Sequence, residues 1–137
     1  MAPRAAAHYD AAVIGSQPCV ALVEDDAAVG RALERLLTAV GFEVRWFGTA
    51  GAFLAALPVL QPSCVVLDAH LPDADGLDLY GRLQRTGATA GVVFITADHE
   101  LASSEGMRRT GVACLRKPLD ETTLVEAIGR AIAARRA

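Results

Sequence analysis

Ser63-Cys64-Val65-Val66-Leu67-Asp68-Ala69-His70-Leu71-Pro72-Asp73-Ala74-Asp75-Gly76 is the stretch that decides the fold. Four consecutive apolar residues without polar alternation describe a strand buried on both faces, as in a parallel sheet covered by helices. The run ends on one carboxylate, Asp68, and passes at once into a loop rich in Pro, Asp and Gly. In open α/β sheets ligands bind at the carboxyl edge of the strands. Asp68 is therefore the first candidate for chemistry.

The same pattern recurs on either side. Cys19-Val20-Ala21-Leu22-Val23 is a second buried run, ending in Glu24-Asp25-Asp26, and Val29, Leu33, Leu36, Leu37 and Val40 then recur at helical spacing up to Gly41. Glu43 to Phe47 is strand-like, and Thr49 is placed to cap a short helix through Leu57, stopped by Pro58. Past the opening stretch, Leu77, Tyr80 and Leu83 form a helical stripe, and Val92-Val93-Phe94-Ile95 is a fourth strand ending at Thr96. Leu101 to Arg109 stands in the place of a helix but carries Ser103, Ser104 and Gly106, which predicts weak packing. Ala113 to Arg116 is a short fifth strand before Lys117-Pro118. Asp120 can cap a last helix with Leu124, Ile128 and Ile132 on one face, closing at Arg135 and Arg136. Five strands alternating with five helices predict an α/β, doubly wound parallel sheet.

Composition bounds the possibilities. The chain has 137 residues, 53% of them hydrophobic, enough for one domain with a real core. Asp and Glu number 16 against 13 Lys and Arg, which argues against direct contact with nucleic acid. The three cysteines, Cys19, Cys64 and Cys114, lie in apolar runs and lack the spacing of a zinc site. Their odd number favours a reducing cytoplasm. The longest apolar run before Pro18, Ala11 to Ile14, is too short to span a membrane, so residues 1–18 read as a flexible leader and 19–137 as the domain.

Polar residues stop the apolar runs at one predicted edge: Glu24 and Asp25, then Asp68, then Thr96, with Lys117 after the fifth strand. Three crowded carboxylates repel one another and ask for a hard divalent cation, for which Mg²⁺ suits a few oxygens plus water. Such a site favours phosphoryl transfer with Asp68 as nucleophile. Thr96 and Lys117 would then contact the phosphoryl oxygens, both contacts arising only after modification. Asp26 and Asp75 read as caps or loop residues, Asp73 as a solvated loop charge, and Arg108, Arg109 and Arg116 as a solvated basic face.

Taken together, VEDD at the first strand, LDAHLPDADG around Asp68, FITA at Thr96 and RKP at Lys117 resemble the receiver domain of bacterial two-component response regulators, a CheY-like fold. The resemblance covers Val20 to Arg135. It implies a flavodoxin-like sheet in the order 2-1-3-4-5. It also implies that Asp68 is the phosphoacceptor, that Glu24, Asp25 and Asp68 form the metal site, Asp25 holding the ion more directly than Glu24, and that His70 offers Mg²⁺ its backbone carbonyl. Thr96 and Lys117 correspond to the switch hydroxyl and the lysine, and a cis bond precedes Pro118. A sensor histidine kinase or a histidine phosphotransfer protein would donate the phosphoryl group. The output protein or domain is unknown, and the only catalysis implied is self-catalysed acceptance and slow loss of that group.

The chain also departs from the pattern. Where the family usually carries an aromatic, three residues before the lysine, this sequence has Cys114, and the Gly111 to Lys117 loop looks one residue short. An aromatic toggle there is ruled out, which points to displacement of the Leu101 to Arg109 segment as the signal. His70 and Asp98 stand at positions that in this family flank the route of attacking water. Two other readings stay open: a haloacid-dehalogenase-like phosphatase, opposed by His70 where a second Asp is needed, and a degenerate receiver acting as a phosphorylation-independent interaction module. A flavin site is disfavoured, because Glu24-Asp25-Asp26 would repel a phosphate.

Overall fold

A computed structural model describes residues 17–135; most of the expected leader, residues 1–16, lies outside them. The strands are β1 (Cys19–Val23), β2 (Glu43–Phe47), β3 (Cys64–Asp68), β4 (His70–Leu71), β5 (Ala74–Asp75), β6 (Gly91–Thr96) and β7 (Ala113–Arg116). The helices are α1 (Ala27–Val40), α2 (Ala50–Leu60), α3 (Gly76–Arg85), α4 (His99–Ala102), α5 (Glu105–Thr110) and α6 (Glu121–Ala134). Five strands form one parallel sheet in the order β2-β1-β3-β6-β7. This is the expected 2-1-3-4-5 order once the β4–β5 ribbon is set aside.

Each central strand is apolar on both faces because each face has its own core. Val20, Leu22, Val66, Val93 and Ile95 pack with Leu33 and Leu37 of α1 and Leu124 and Ile128 of α6. Ala21, Val23, Val65, Leu67 and Phe94 face the other way, onto Phe53 of α2, Leu79 and Leu83 of α3 and Met107 of α5. Pro18 belongs to this body as well: it is buried, and its carbonyl accepts the Glu43 N–H at 2.9 Å.

Four details differ from the sequence reading. Helix α2 runs past Pro58 to Leu60. Proline removes its own N–H and its ring crowds the carbonyl four residues back, yet the last turn forms, and the helix closes where Gln61 turns left-handed (φ 44°) with its N–H on the Leu57 carbonyl. The buried stripe of α3 is Gly76, Leu79 and Leu83, with Leu77 and Tyr80 only partly covered. The expected fourth helix is two short ones, giving six rather than five among the described residues. Ser104 caps α5 by accepting the Met107 N–H, so the serine pair that weakens a continuous helix starts a new one. The β4–β5 ribbon had no sequence signal, since two-residue strands are below the length at which alternation can be read.

Candidate functional site

The carboxyl edge of the sheet gathers the predicted residues because strands β1, β3, β6 and β7 all end there. Asp68 closes β3, and its register partner is Ile95, one residue before Thr96. Glu24 follows β1, with its N–H on the Phe47 carbonyl at 3.0 Å. Lys117 follows β7, with its N–H on the Thr96 carbonyl at 2.8 Å.

Three polar residues are buried at this edge: Glu24 and Thr96 with no exposure, Asp68 with 5%. Carboxylates at such depth need partners. Lys117 Nζ supplies them, 2.7 Å from Glu24 Oε1 and 3.1 Å from Asp68 Oδ2. The Glu24 contact is a charge pairing without hydrogen-bond alignment. The other Asp68 oxygen, Oδ1, accepts the His70 N–H at 2.9 Å. Glu24 Oε2 accepts the Asp26 N–H at 3.1 Å.

One ammonium between two carboxylates does not neutralise them. Burial, and then the adjoining Asp68 carboxyl, push Glu24 up from 4.5 to about 7, against the pull of Lys117. Burial opposes the Lys117 charge, but Glu24 and Asp68 outweigh it and hold that pKa above its ordinary value. The sequence reading assigns Lys117 only a later contact with a phosphoryl oxygen; the structure adds that the buried carboxylates already hold its ammonium in the unmodified protein.

Glu24, Asp25 and Asp68 each place a carboxylate oxygen within 4.8 Å of the others. Asp25 is exposed, and among the described residues its carboxylate has no hydrogen bond or ion pair. An all-oxygen set with net negative charge and one open face fits a Mg²⁺ ion that retains several waters. His70 stands beside this set through its N–H on Asp68 and its pairing with Asp75 in the β4–β5 ribbon.

Thr96 Oγ1 accepts the Asp98 N–H at 3.0 Å, which leaves the hydroxyl's own proton to be donated. Above it, His70 Nε2 and Asp98 Oδ2 lie 3.2 Å apart and half exposed, tying the loop after β3 to the loop after β6. The Leu101 N–H, then the His70 ring, hold Asp98 below the usual carboxylate range. The Lys117–Pro118 peptide is cis, as the resemblance implies.

Asp26 and Asp75 cap α1 and α3. Asp73 is not a free loop charge: it accepts the Ala50 and Gly51 N–H groups at the start of α2. Arg109 pairs with Glu105, Arg108 reaches the Ser103 carbonyl, and Arg116 meets the His99 ring, so the three arginines are separately engaged. Cys64 is fully buried, its thiol pushed up to about 12 by burial, while Cys19 and Cys114 are half-buried. All three are free thiols. Beside Cys114 on the sheet stands its register partner Phe94, whose ring centroid lies 5.7 Å from that of Tyr80. The sequence reading did not single out Trp46, whose indole Nε1 donates to the Glu24 carbonyl at 2.8 Å.

Residues 20–129 match the response regulator receiver domain family. Among curated proteins, the chain is 34% identical over 112 residues to the tetrathionate response regulatory protein TtrR of Salmonella typhimurium, covering 81% of this chain and 54% of that protein. It is 35% identical over 112 residues to the transcriptional regulatory protein FixJ of Bradyrhizobium diazoefficiens, covering 81% and 55%. The chain thus spans about half the length of the curated relatives it matches. Among solved structures, the response regulator StyR superposes with a TM-score of 0.79 at 32% identity, over 88% of this chain and 62% of that one. A CheY-like receiver domain protein from Methanospirillum hungatei, 24% identical, has the same fold, with a TM-score of 0.80 over 88% and 98%.

Proposed function

The chain belongs to the response regulator receiver domain family, and from that premise we propose that it is a phosphorylation-controlled signalling switch whose phosphoacceptor is Asp68. The observation that carries this reading is the setting of the Asp68 carboxylate. It is buried at a strand end, held by the Lys117 ammonium on one oxygen and the His70 N–H on the other, with Glu24 and Asp25 alongside.

In the proposed reaction an Asp68 oxygen attacks the phosphorus of a phosphohistidine on a sensor kinase or phosphotransfer protein. The O–P bond forms as the P–N bond breaks, and the electron pair returns to the donor imidazole. When bound by Glu24, Asp25, Asp68 and the His70 carbonyl, Mg²⁺ supplies charge neutralisation for the phosphoryl oxygens. Lys117 pairs with a phosphoryl oxygen, and Thr96 donates its hydroxyl proton to another. No second carboxylate stands at position 70 to act as a general acid, which favours a switch over a turnover phosphatase.

The magnitude of the switch follows from these contacts. Hydrogen bonds to a charged group contribute about 1.5–3 kcal/mol each. A shift from 1:99 to 99:1 needs about 5.5 kcal/mol. Because Lys117 already contacts Asp68, Thr96 carries most of the new energy, and its contact alone shifts the equilibrium by about ten- to a hundredfold. The responding element is the α4–α5 segment after Thr96, in which Met107 is the one buried side chain. Hydrogen exchange of residues 99–110 should rise when a phosphoryl mimic is added; unchanged protection would remove this output route.

Chemical mapping tests the phosphoacceptor assignment. After incubation with phosphoramidate and Mg²⁺, borohydride should convert residue 68, and no other, to homoserine. Conversion elsewhere would reassign the site, and none would favour the phosphorylation-independent interaction module.

A further inference from the structure

The resting position of Asp25 needs an explanation that its own side chain does not supply. Among the described residues its carboxylate touches no donor, so its direction is set by the backbone it stands on. Asp25 stands two residues beyond the β1–β2 ladder, which ends at the Val23–Phe47 pair. The Glu24 N–H is tied back to the Phe47 carbonyl at 3.0 Å. The Glu24 carbonyl is held by the indole of Trp46, Nε1 donating at 2.8 Å.

This carbonyl and the Asp25 nitrogen belong to one planar peptide unit. Holding its oxygen therefore fixes the plane from which Asp25 departs. The seat for the indole is made by α1: a Cβ on Gly30 would lie 2.3 Å from the indole Cε2 and Cζ2 atoms. Trp46 is the chain's one tryptophan, on an edge strand where its ring is half-buried.

Resting on the metal-dependent reading above, we propose that Trp46 is a positioning residue for the cation site, orienting Asp25 by clamping the Glu24–Asp25 peptide. It touches neither metal nor phosphoryl group. Its effect should appear in metal affinity and leave the phosphorylation rate at saturating Mg²⁺ unchanged. Outer partners that fix ligands in this way commonly govern affinity.

The test is calorimetric titration of the full chain with Mg²⁺, together with the Mg²⁺ concentration dependence of phosphorylation. Trp46→Phe should bind Mg²⁺ about three- to tenfold more weakly. Gly30→Ala should do the same by displacing the indole, although alanine is the better helix former. This separates positioning from general loss of stability, and it carries the decision should Trp46→Phe be too unstable to titrate. Addition of Mg²⁺ to the wild type should also shift the tryptophan fluorescence. Wild-type affinity in the folded variants would overturn the inference alone. Failure of the wild type to bind Mg²⁺ would overturn the metal-dependent reading and the inference with it.

Discussion

Asp73, on the loop after β3, reaches across to the first turn of α2 and accepts the Ala50 N–H at 2.9 Å, with its second oxygen on the Gly51 N–H at 3.0 Å. The loop that carries His70 is thereby pinned to a neighbouring helix. Those two N–H groups, Ala50 first, hold the Asp73 carboxyl below its ordinary range. A depressed folded pKa contributes stability that is present above the ordinary carboxylate value and lost as pH falls through the folded one. Asp73→Ala should lower the thermal midpoint at neutral pH and speed amide exchange at the start of α2. The difference from wild type should shrink in acid. Equal midpoints at pH 7 would show that the clamp is idle.

Glu24 titrates with the opposite sign. Burial and the neighbouring Asp68 raise it from 4.5 to about 7, so between these values the folded state holds more protons than the unfolded one. Stability must then fall as pH rises through this window. Urea midpoints without metal should be higher at pH 5.5 than at pH 8, and Glu24→Gln should flatten that difference. Mg²⁺ affinity should rise over the same interval, since the metal competes with the proton.

Removing Lys117 leaves two buried carboxylates facing each other. Lys117→Met should cost about 2 kcal/mol, between the values for exposed and for fully buried pairs, and should abolish stable phosphorylation. The same variant should bind Mg²⁺ more tightly, because one competing cation is gone. Weaker Mg²⁺ binding would mean that the ammonium organises the site rather than competing for it.

These features differ in how far the sequence discloses them. Cys64 to Asp68 could be read at once because a doubly buried parallel strand has no polar interruption, and the ends of such strands mark the edge where Glu24, Asp68, Thr96 and Lys117 meet. Gly41, Thr49 and Asp120 were legible as caps for a similar reason: their chemistry is local. Asp73 and Trp46 were not, since each acts on backbone more than twenty positions away and nothing adjacent in sequence announces the partner. The break at Ser103-Ser104 lay between the two cases. Composition signalled a weak helix there, but only the Ser104 cap on Met107 turned weakness into two separate turns.

His70 and Asp98 bridge the two loops over the site at 3.2 Å. If Asp68 is phosphorylated as proposed, a bridge between these two positions, which in receivers flank the route of attacking water, would obstruct that water. Asp98→Ala should therefore shorten the phosphoryl lifetime several-fold, with little change in the rate of phosphorylation. Timed decay after donor removal measures it, and an unaltered lifetime would make the pair a surface contact only.

The central claim is that Asp68 accepts a phosphoryl group in a metal-dependent reaction. Its most direct measurement is the intact mass of the protein after incubation with a small phosphodonor, with and without Mg²⁺, beside Asp68→Asn. The account predicts the gain of one phosphoryl group by the wild type with Mg²⁺, and none when Mg²⁺ or the Asp68 carboxylate is withheld. No gain by folded wild type, while a known receiver reacts in the same mixture, would contradict it.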